Sequence, residues 1–305
     1  MASPHVVRLS TVGFNSATRT VKNFTPAATA GITYDDTNQY PMNKAMPPVD
    51  GPLFGGISFS TEMNPSGSAA GAKTPPDALL FKACGLKETV STTVSTTYAW
   101  TGATTDVTAV ALASRVGDGT GFYQTCSNAV GNLSIVLEPR SVPICNWSFT
   151  GTSVAPTEAT TPTDALGNAG AAPQSIGTIT LATDTVVMKR FAINFNQMLN
   201  GPNLDLASTT GVANPNIVGG IPTFSTTVEV PAFSTNNYVT DWTASTLTAF
   251  SIALGTGAGY VITITGKGVL AQYPQFAAGA NGNLVANLSY RMDTAAGSPI
   301  TIVYT

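Results

Sequence analysis

Short segments in which apolar and polar residues alternate, each followed by glycine, proline or other turn residues, recur along almost the whole chain of 305 residues. In GISFSTE, residues 56–62, apolar Ile57 and Phe59 alternate with serines, which is the pattern of a strand with one buried face. Many such strands separated by turns predict a mainly β protein of sandwich or barrel type. Charged residues make up only 10% of the chain and hydrophobic residues 43%, which excludes both a coiled coil and a disordered chain.

One segment departs from this alternation and predicts a short helix over residues 75–84. Its sequence is PPDALLFKAC, followed by Gly85. Thr74 can cap the first turn, and Pro75 stands at the first helical position, where its missing N–H is tolerated. Gly85 is a typical residue just beyond a helix end.

Composition divides the chain into four parts. Residues 1–50 are poor in apolar side chains and predict an extended N-terminal arm. Residues 51–154 predict a first β lobe, which contains the short helix. Residues 155–174 are rich in Ala, Pro and Thr without strand or helix periodicity, and predict a linker. Residues 175–305 predict a second β lobe.

The two predicted lobes share an order of features. Residues 106–137 and residues 245–273 both predict a strand, a glycine-rich turn, a second strand, a glycine and a third strand. This similarity is expected if the lobes are duplicates of one fold, and also if they are two independent β-sandwiches. Both alternatives remain open from the sequence.

Residues able to form a catalytic or metal site are few. His5 is the sole histidine, which excludes histidine-rich metal sites. A serine or cysteine triad needs a histidine buried beside the nucleophile, and we expect His5, near the N-terminus, to be a surface residue instead. The cysteines lack metal-ligand spacing, and we expect buried, reduced thiols at Cys84, Cys126 and Cys145. The 16 acidic residues are scattered. We therefore predict no catalytic, cofactor-binding or metal-binding residues, and a protein that is not an enzyme.

One segment comes close to a phosphate-binding loop. GSAAGAKT, residues 67–74, has the right length, but Ala72 stands where the second glycine is needed. Pro75 and Pro76 follow at once and remove two N–H donors from the start of the predicted helix. The segment therefore does not predict nucleotide binding.

Charge and hydropathy limit the possible partners. Thirteen basic and 16 acidic residues give a net charge of −3, so there is no basic footprint for holding nucleic acid. Weak self-repulsion at this charge permits dense association with other copies. The most apolar stretch, residues 247–262, contains Thr, Ser and Gly and predicts a β-hairpin rather than a membrane span. The first residues show no apolar core of a secretory signal, so we expect no export.

The segment MNPSGSAAGAKTPPDALLFKACGLKETVSTTVSTTYAWTG, residues 63–102, resembles the opening of the tail tube (major tail) proteins of long, non-contractile-tailed bacteriophages. In that family a strand, a Gly/Ala loop and a short helix ending in Ala-Cys-Gly-Leu, here residues 83–86, precede a strand that ends near a tyrosine. The resemblance covers residues 42–305 and departs from the family pattern in the first forty residues. The later segments that carry it are GNLSIVLEPRSVPICNWSFTG, RFAINFNQML, VEVPAF and NGNLVANLSYRM.

The resemblance implies a structural virion protein without catalytic residues or cofactors. Such subunits assemble into rings that stack head to tail as a phage tail tube, the conduit for genome delivery into the host. The implied partners are other copies of the chain, the tail tip or initiator, the tape measure and the tail terminator proteins, with DNA passing through the lumen without specific binding and no membrane partner. Assembly is expected in the host cytoplasm. Duplicated lobes favour a ring of three chains, and unrelated lobes a ring of six.

Two other classes of protein fit the composition. An icosahedral viral coat protein is also β-rich, but a coat that packages a genome usually has a basic arm, and the first fifty residues contain only four basic residues. A secreted adhesin or carbohydrate-binding module needs an export signal and aromatic platforms. The three tryptophans are dispersed and are expected to pack in cores or interfaces, at Trp100, Trp147 and Trp242.

Overall fold

The chain folds as an antiparallel, mainly β protein in a computed structural model, which confirms the predicted fold class. The described residues are 10–14, 17–33, 49–67, 73–116, 120–153, 157–160, 179–182, 184–201, 213–231, 237–257, 259–279, 282–293 and 298–305. The strands of the first half are β1 (Ser10–Phe14), β2 (Ala17–Thr20), β3 (Lys22–Thr33), β4 (Val49–Glu62), β5 (Leu86–Ser91), β6 (Ser95–Trp100), β7 (Val110–Val116), β8 (Thr120–Leu137), β9 (Ile144–Ser153) and β10 (Thr157–Thr160). Those of the second half are β11 (Ile179–Leu181), β12 (Asp184–Thr185), β13 (Met188–Asn194), β14 (Gln197–Asn200), β15 (Asn216–Gly220), β16 (Thr223–Glu229), β17 (Leu247–Leu254), β18 (Ile262–Leu270), β19 (Gln275–Ala278), β20 (Leu284–Met292) and β21 (Ile300–Tyr304). The helices are α1 (Ala78–Ala83), α2 (Tyr238–Thr243) and a 3-10 turn at Thr104–Asp106.

The first half is built around the long strand β8. Pairings join β3 to β4, β4 to β9, β9 to β8, β8 to β7, β7 to β1 and β1 to β2. The sequence predicted two strands where β8 is continuous. The register against β9 shifts between Ser127 and Val130, and Asn128 there has a φ of 50°. A bulge therefore replaces the expected break.

In the second half, β16 pairs with β13 and β20, and β18 pairs with β17 and β20. Strands β11 and β19 extend this sheet from β17 and β20, and β12 pairs with β11. Strands β14 and β15 form a separate two-stranded ribbon. The apolar stretch at residues 247–262 forms the β17–β18 hairpin, as its sequence predicts.

Among the described residues, strand pairing joins the two halves at two places. Strand β13 pairs with the end of β8, where Phe191 lies opposite Leu137. The last strand, β21, lies between β18 and β6, and Ile302 faces Ile264 on one side and Tyr98 on the other. Buried side chains from both halves accordingly form one continuous hydrophobic core.

Two aromatic clusters occupy this core. In the first half, the Phe81 ring of α1 lies 4.9 Å from Tyr98, 5.3 Å from Trp147 and 6.3 Å from Tyr304, measured between centroids. In the second half, Phe224 stacks on Tyr290 at 4.2 Å and contacts Phe250 at 4.5 Å. The C-terminal strand thus supplies Tyr304 to the core of the first half.

The N-terminal segment predicted as an arm contains three strands in its described residues. Strand β3 pairs with β4, and β1 pairs with β7, so both strands lie against the first half of the same chain. The predicted linker contains β10 at Thr157–Thr160, and residues 161–174 lie outside the described residues. The division into an arm, two lobes and a linker stays a prediction, as does the duplication of the lobes.

The helix α1 begins at Ala78, three residues later than the predicted Pro75, and ends at Ala83, one residue before the predicted end. The N–H of Ala78 donates to the carbonyl of Pro75 in a preceding turn. The N-cap position belongs to Asp77, whose carboxylate accepts from the Thr61 hydroxyl at 3.4 Å rather than from the helix backbone. Gly85 follows the helix with a φ of 76°, the left-handed conformation that favours glycine.

Helix α2 was not predicted from the sequence. Asn237 caps it, because its side-chain oxygen accepts from the N–H groups of Val239 and Thr240 at 3.1 and 3.3 Å. Asparagine is a preferred N-cap residue, so Asn237 was the signal in the sequence from which this helix could have been predicted. Neither α1 nor α2 is long enough to cross a membrane, nor is any other helix in the described ranges.

Candidate assembly surface

The three cysteines are buried free thiols, which confirms their predicted placement. Burial raises the pKa of Cys84 well above its ordinary value, and the nearby Cys145 adds to the rise. Burial also raises the pKa of Cys126 to about 11. A thiol acts as a nucleophile in its ionised form, so these side chains serve as core residues rather than reactive groups.

A polar cluster joins α1 to the β5–β6 hairpin. The ammonium of Lys82 lies 3.1 Å from Oε2 of Glu88, and the hydroxyl of Tyr98 donates to Oε1 of the same carboxylate at 2.7 Å. Burial raises the pKa of Tyr98 well above its ordinary value, and the bond to Glu88 raises it further. The protonated Tyr98 hydroxyl thus holds the Glu88 carboxylate within the hairpin, and Lys82 of α1 binds the same carboxylate and ties the helix to the hairpin.

The remaining candidates for chemistry form no metal-binding cluster within the part of the chain that the structure describes. His5 and residues 68–72 of the loop that resembles a phosphate-binding motif lie outside the described residues. Lys73 at the end of that loop is buried. Across the described ranges, His, Cys, Asp and Glu nowhere gather in threes that could hold a metal ion.

Exposed apolar side chains lie on the β14–β15 ribbon and directly after its last residue, Gly220. Met198 is 64% exposed, Val218 57% and Ile221 39%, and we call these three residues the ribbon patch. Alternation along the ribbon turns the other side chains inward: Ile217 is buried, and the amide of Gln197 donates to the carbonyl of Cys84 at 2.8 Å. The ribbon is thus anchored on one face and presents apolar groups on the other.

A second exposed apolar pair lies at the turn of the β5–β6 hairpin. Val90 is 47% exposed and Val94 62%, and we call these two residues the tip patch. The turn between them is closed by a bond from the N–H of Val94 to the carbonyl of Ser91 at 3.0 Å. Thr93 in this turn has a φ of 66°.

The β14–β15 ribbon lies at the base of the β5–β6 hairpin, and the tip patch lies at the turn of that hairpin. A small cleft brings Gln197, Ile217 and Gly219 of the ribbon together with Gly85 and Trp100, where β5 begins and β6 ends. From there the hairpin runs through six residue pairs, and therefore five residue steps, to its turn. At about 3.4 Å per residue this separates the two ends by about 17 Å. Two different apolar surfaces at opposite ends suit contacts in which one surface meets a different surface on the next copy.

Open strand edges offer a second kind of contact. Within the described part of the chain, the 12-residue strand β3 pairs with β4 alone, and β5 pairs with β6 alone. An edge strand carries unpaired N–H and C=O groups to which another chain can add a strand. Lys22 and Pro26 in β3 and Lys87 in β5 are residues that limit indiscriminate pairing at such edges.

Comparison with known proteins adds no identification. No protein-family model matches the chain, and no curated protein matches it.

Sequence reasoning named no residue of either patch. A signal was present in NIVGG, where Ile217 and Val218 are adjacent. Neighbouring residues of a strand point to opposite faces, so one of these two apolar side chains must lie on the face that is not buried. Val90 and Val94 stand among threonines and serines, and nothing in that pattern shows which face is covered.

Proposed function

We propose that this chain is a structural subunit that assembles with copies of itself into the stacked rings of a bacteriophage tail tube. The observation that carries the proposal is the pair of apolar surfaces at opposite ends of the β5–β6 hairpin, the ribbon patch and the tip patch. The resemblance of residues 42–305 to tail tube proteins supports it, as does the mainly β fold.

Within a ring, open strand edges supply the contacts. A neighbour that adds a strand to β3 or β5 continues the sheet through backbone hydrogen bonds, which requires few specific side chains. Repetition of one such contact by rotation closes a ring of three or six chains.

Between rings, the ribbon patch of one subunit meets the tip patch of another. Burial of Met198, Val218 and Val94 removes apolar surface from water, which stabilises the contact. Because the two surfaces differ, each added ring leaves the same surface open for the next, and stacking continues as a tube.

A conduit for DNA must not hold its cargo. Each Lys or Arg that contacts a phosphate adds affinity for DNA. The chain has only 13 Lys and Arg residues against 16 Asp and Glu residues. A net charge of −3 is compatible with a lumen through which DNA slides.

Negative-stain electron microscopy across a concentration series tests the proposal. The wild-type protein is expected to form hollow tubes of uniform width, and Met198→Lys or Val94→Lys is expected to stop at single rings because a buried charge opposes stacking. The matched controls Met198→Leu and Val94→Ile keep the apolar character and should still form tubes. Closed shells, which a coat protein would form, or tubes unaffected by either lysine, contradict the proposal.

A further inference from the structure

A polar groove of about 260 Å³ crosses the outer face of the second half. Its floor is formed by β16 and β20, where Ser225 lies opposite Ser289 and Thr227 opposite Asn287. The alternate residues of these strands, Phe224 and Leu288 among them, are buried in the core. The hydroxyl of Thr227 donates to the side-chain oxygen of Asn287 at 2.7 Å, which holds the floor in a fixed arrangement.

An aromatic pair stands at the wall of this groove. Tyr273, which lines the groove, is 47% exposed. Trp242 at the end of α2 is 38% exposed, and the two rings meet edge to face at 5.5 Å. Trp100 and Trp147 are buried in the core, whereas Trp242, also predicted to pack in a core or an interface, is partly exposed in the single chain. An edge-to-face contact restrains the Tyr273 ring while part of it stays in solvent.

The groove contains neutral hydrogen-bonding groups beside this aromatic ring. Gln272 and Gln275 supply amides along the same wall, and the floor supplies hydroxyls and the Asn287 amide. Arg190 is the single charged residue of the lining, and its guanidinium lies 3.8 Å from the Glu138 carboxylate. The lining therefore offers donors and acceptors without a strong net charge.

We propose that this groove binds a neutral carbohydrate. A sugar ring presents a face of C–H groups, which pack against the negative face of an aromatic ring, and a rim of hydroxyls, which pair with amides and hydroxyls. The volume lies below the range of about 300–1,000 Å³ that is typical of sites for drug-sized ligands, so the site suits one or two sugar rings. This inference is independent of the tail-tube proposal.

Calorimetric titration of the full-length protein with glucose, galactose, mannose, N-acetylglucosamine, maltose and lactose tests the site. At least one of these sugars is expected to bind saturably and to change the fluorescence of Trp242, the exposed tryptophan beside the groove. Tyr273→Ala should weaken binding at least about tenfold because the stacking surface is lost. Tyr260→Ala is the matched control, since Tyr260 is 39% exposed and does not line the groove, and it should change affinity less than about twofold.

Gln275→Ala, at an exposed position, provides a second variant if Tyr273→Ala fails to fold, and it should also weaken binding. The proposal is overturned if none of the six sugars binds saturably. It is equally overturned if the sugar that binds does so with unchanged affinity in the folded groove variant.

Discussion

The core around Phe81 and the two ends of the β5–β6 hairpin use apolar side chains in opposite surroundings. Phe81 is fully buried, with the rings of Tyr98, Trp147 and Tyr304 within 6.3 Å. At the ends, Met198 and Val94 are both more than half exposed. Apolar residues that pack within the chain stabilise its fold, whereas those left in water contribute little to it. Substitutions in the core and at the two ends should therefore alter folding and the proposed self-association separately.

The largest effect on folding is expected from Phe81→Ala. Removing a buried ring that contacts three other aromatic side chains leaves a cavity and should lower the free energy of unfolding by about 3–5 kcal/mol. Chemical denaturation followed by tryptophan fluorescence measures this change. Val94→Ala at the tip patch is the control, with an expected change within about 0.5 kcal/mol. Similar losses in both variants would remove the distinction between the two regions.

A smaller effect is expected from adding one methyl group at Gly131 in β8. A Cβ built there lies 2.5 Å from the ring of Phe149 and 2.6 Å from the carbonyl oxygen of Ser148. Gly131→Ala should therefore destabilise the fold by about 1–3 kcal/mol, through overpacking. Gly219→Ala on the ribbon is the matched control, because a Cβ there has nothing within 4 Å. An equal loss of stability in the two variants would contradict the packing described for β8.

The smallest effect on stability is expected from a surface carboxylate of the second half. The hydrogen bond from Lys189, at 2.6 Å, and the charge of that ammonium lower the pKa of Glu229 below its ordinary value of 4.5. A carboxyl group whose pKa is lower in the folded state than in the unfolded state stabilises the fold at pH values above its unfolded-state pKa. This stabilisation is lost as the pH falls through the folded-state pKa. Wild-type protein should therefore lose more stability on acidification than Glu229→Gln. Thermal unfolding from neutral pH to pH 3 checks this, and parallel curves would contradict it.

The sequence predicted local structure better than long-range pairing. In β17, Phe250, Ile252 and Leu254 are buried on alternate positions, as the period of two requires. The pairing of β21 with both β18 and β6 brings together segments about 40 and 200 residues apart, and alternation within a strand does not specify a distant partner.

The N-terminal segment shows a second reason why strand pairing was harder to predict than local structure. Residues 22–33 form the longest strand of the region predicted as an arm, although Pro26 lies within it. Proline is compatible with a strand at the edge of a sheet because one side of that strand needs no donor. Composition alone therefore favoured an extended arm. In the structure, β4 pairs with β3 and supplies the partners for its backbone hydrogen bonds. The exposure of Met198 and Val94 could not be predicted from the sequence either, because it depends on which surfaces the rest of the chain covers.

Mixing two variants tests the central claim most directly, because it separates the ribbon patch from the tip patch. Met198→Lys retains the tip patch, and Val94→Lys retains the ribbon patch. Each alone should remain as single rings, and an equal mixture should form particles of two stacked rings that grow no further, since one functional contact forms and the outer surfaces are blocked. Electron microscopy and analytical ultracentrifugation of the separate and mixed variants measure this. Stacked rings from either variant alone, or no change on mixing, would contradict head-to-tail assembly through these two ends.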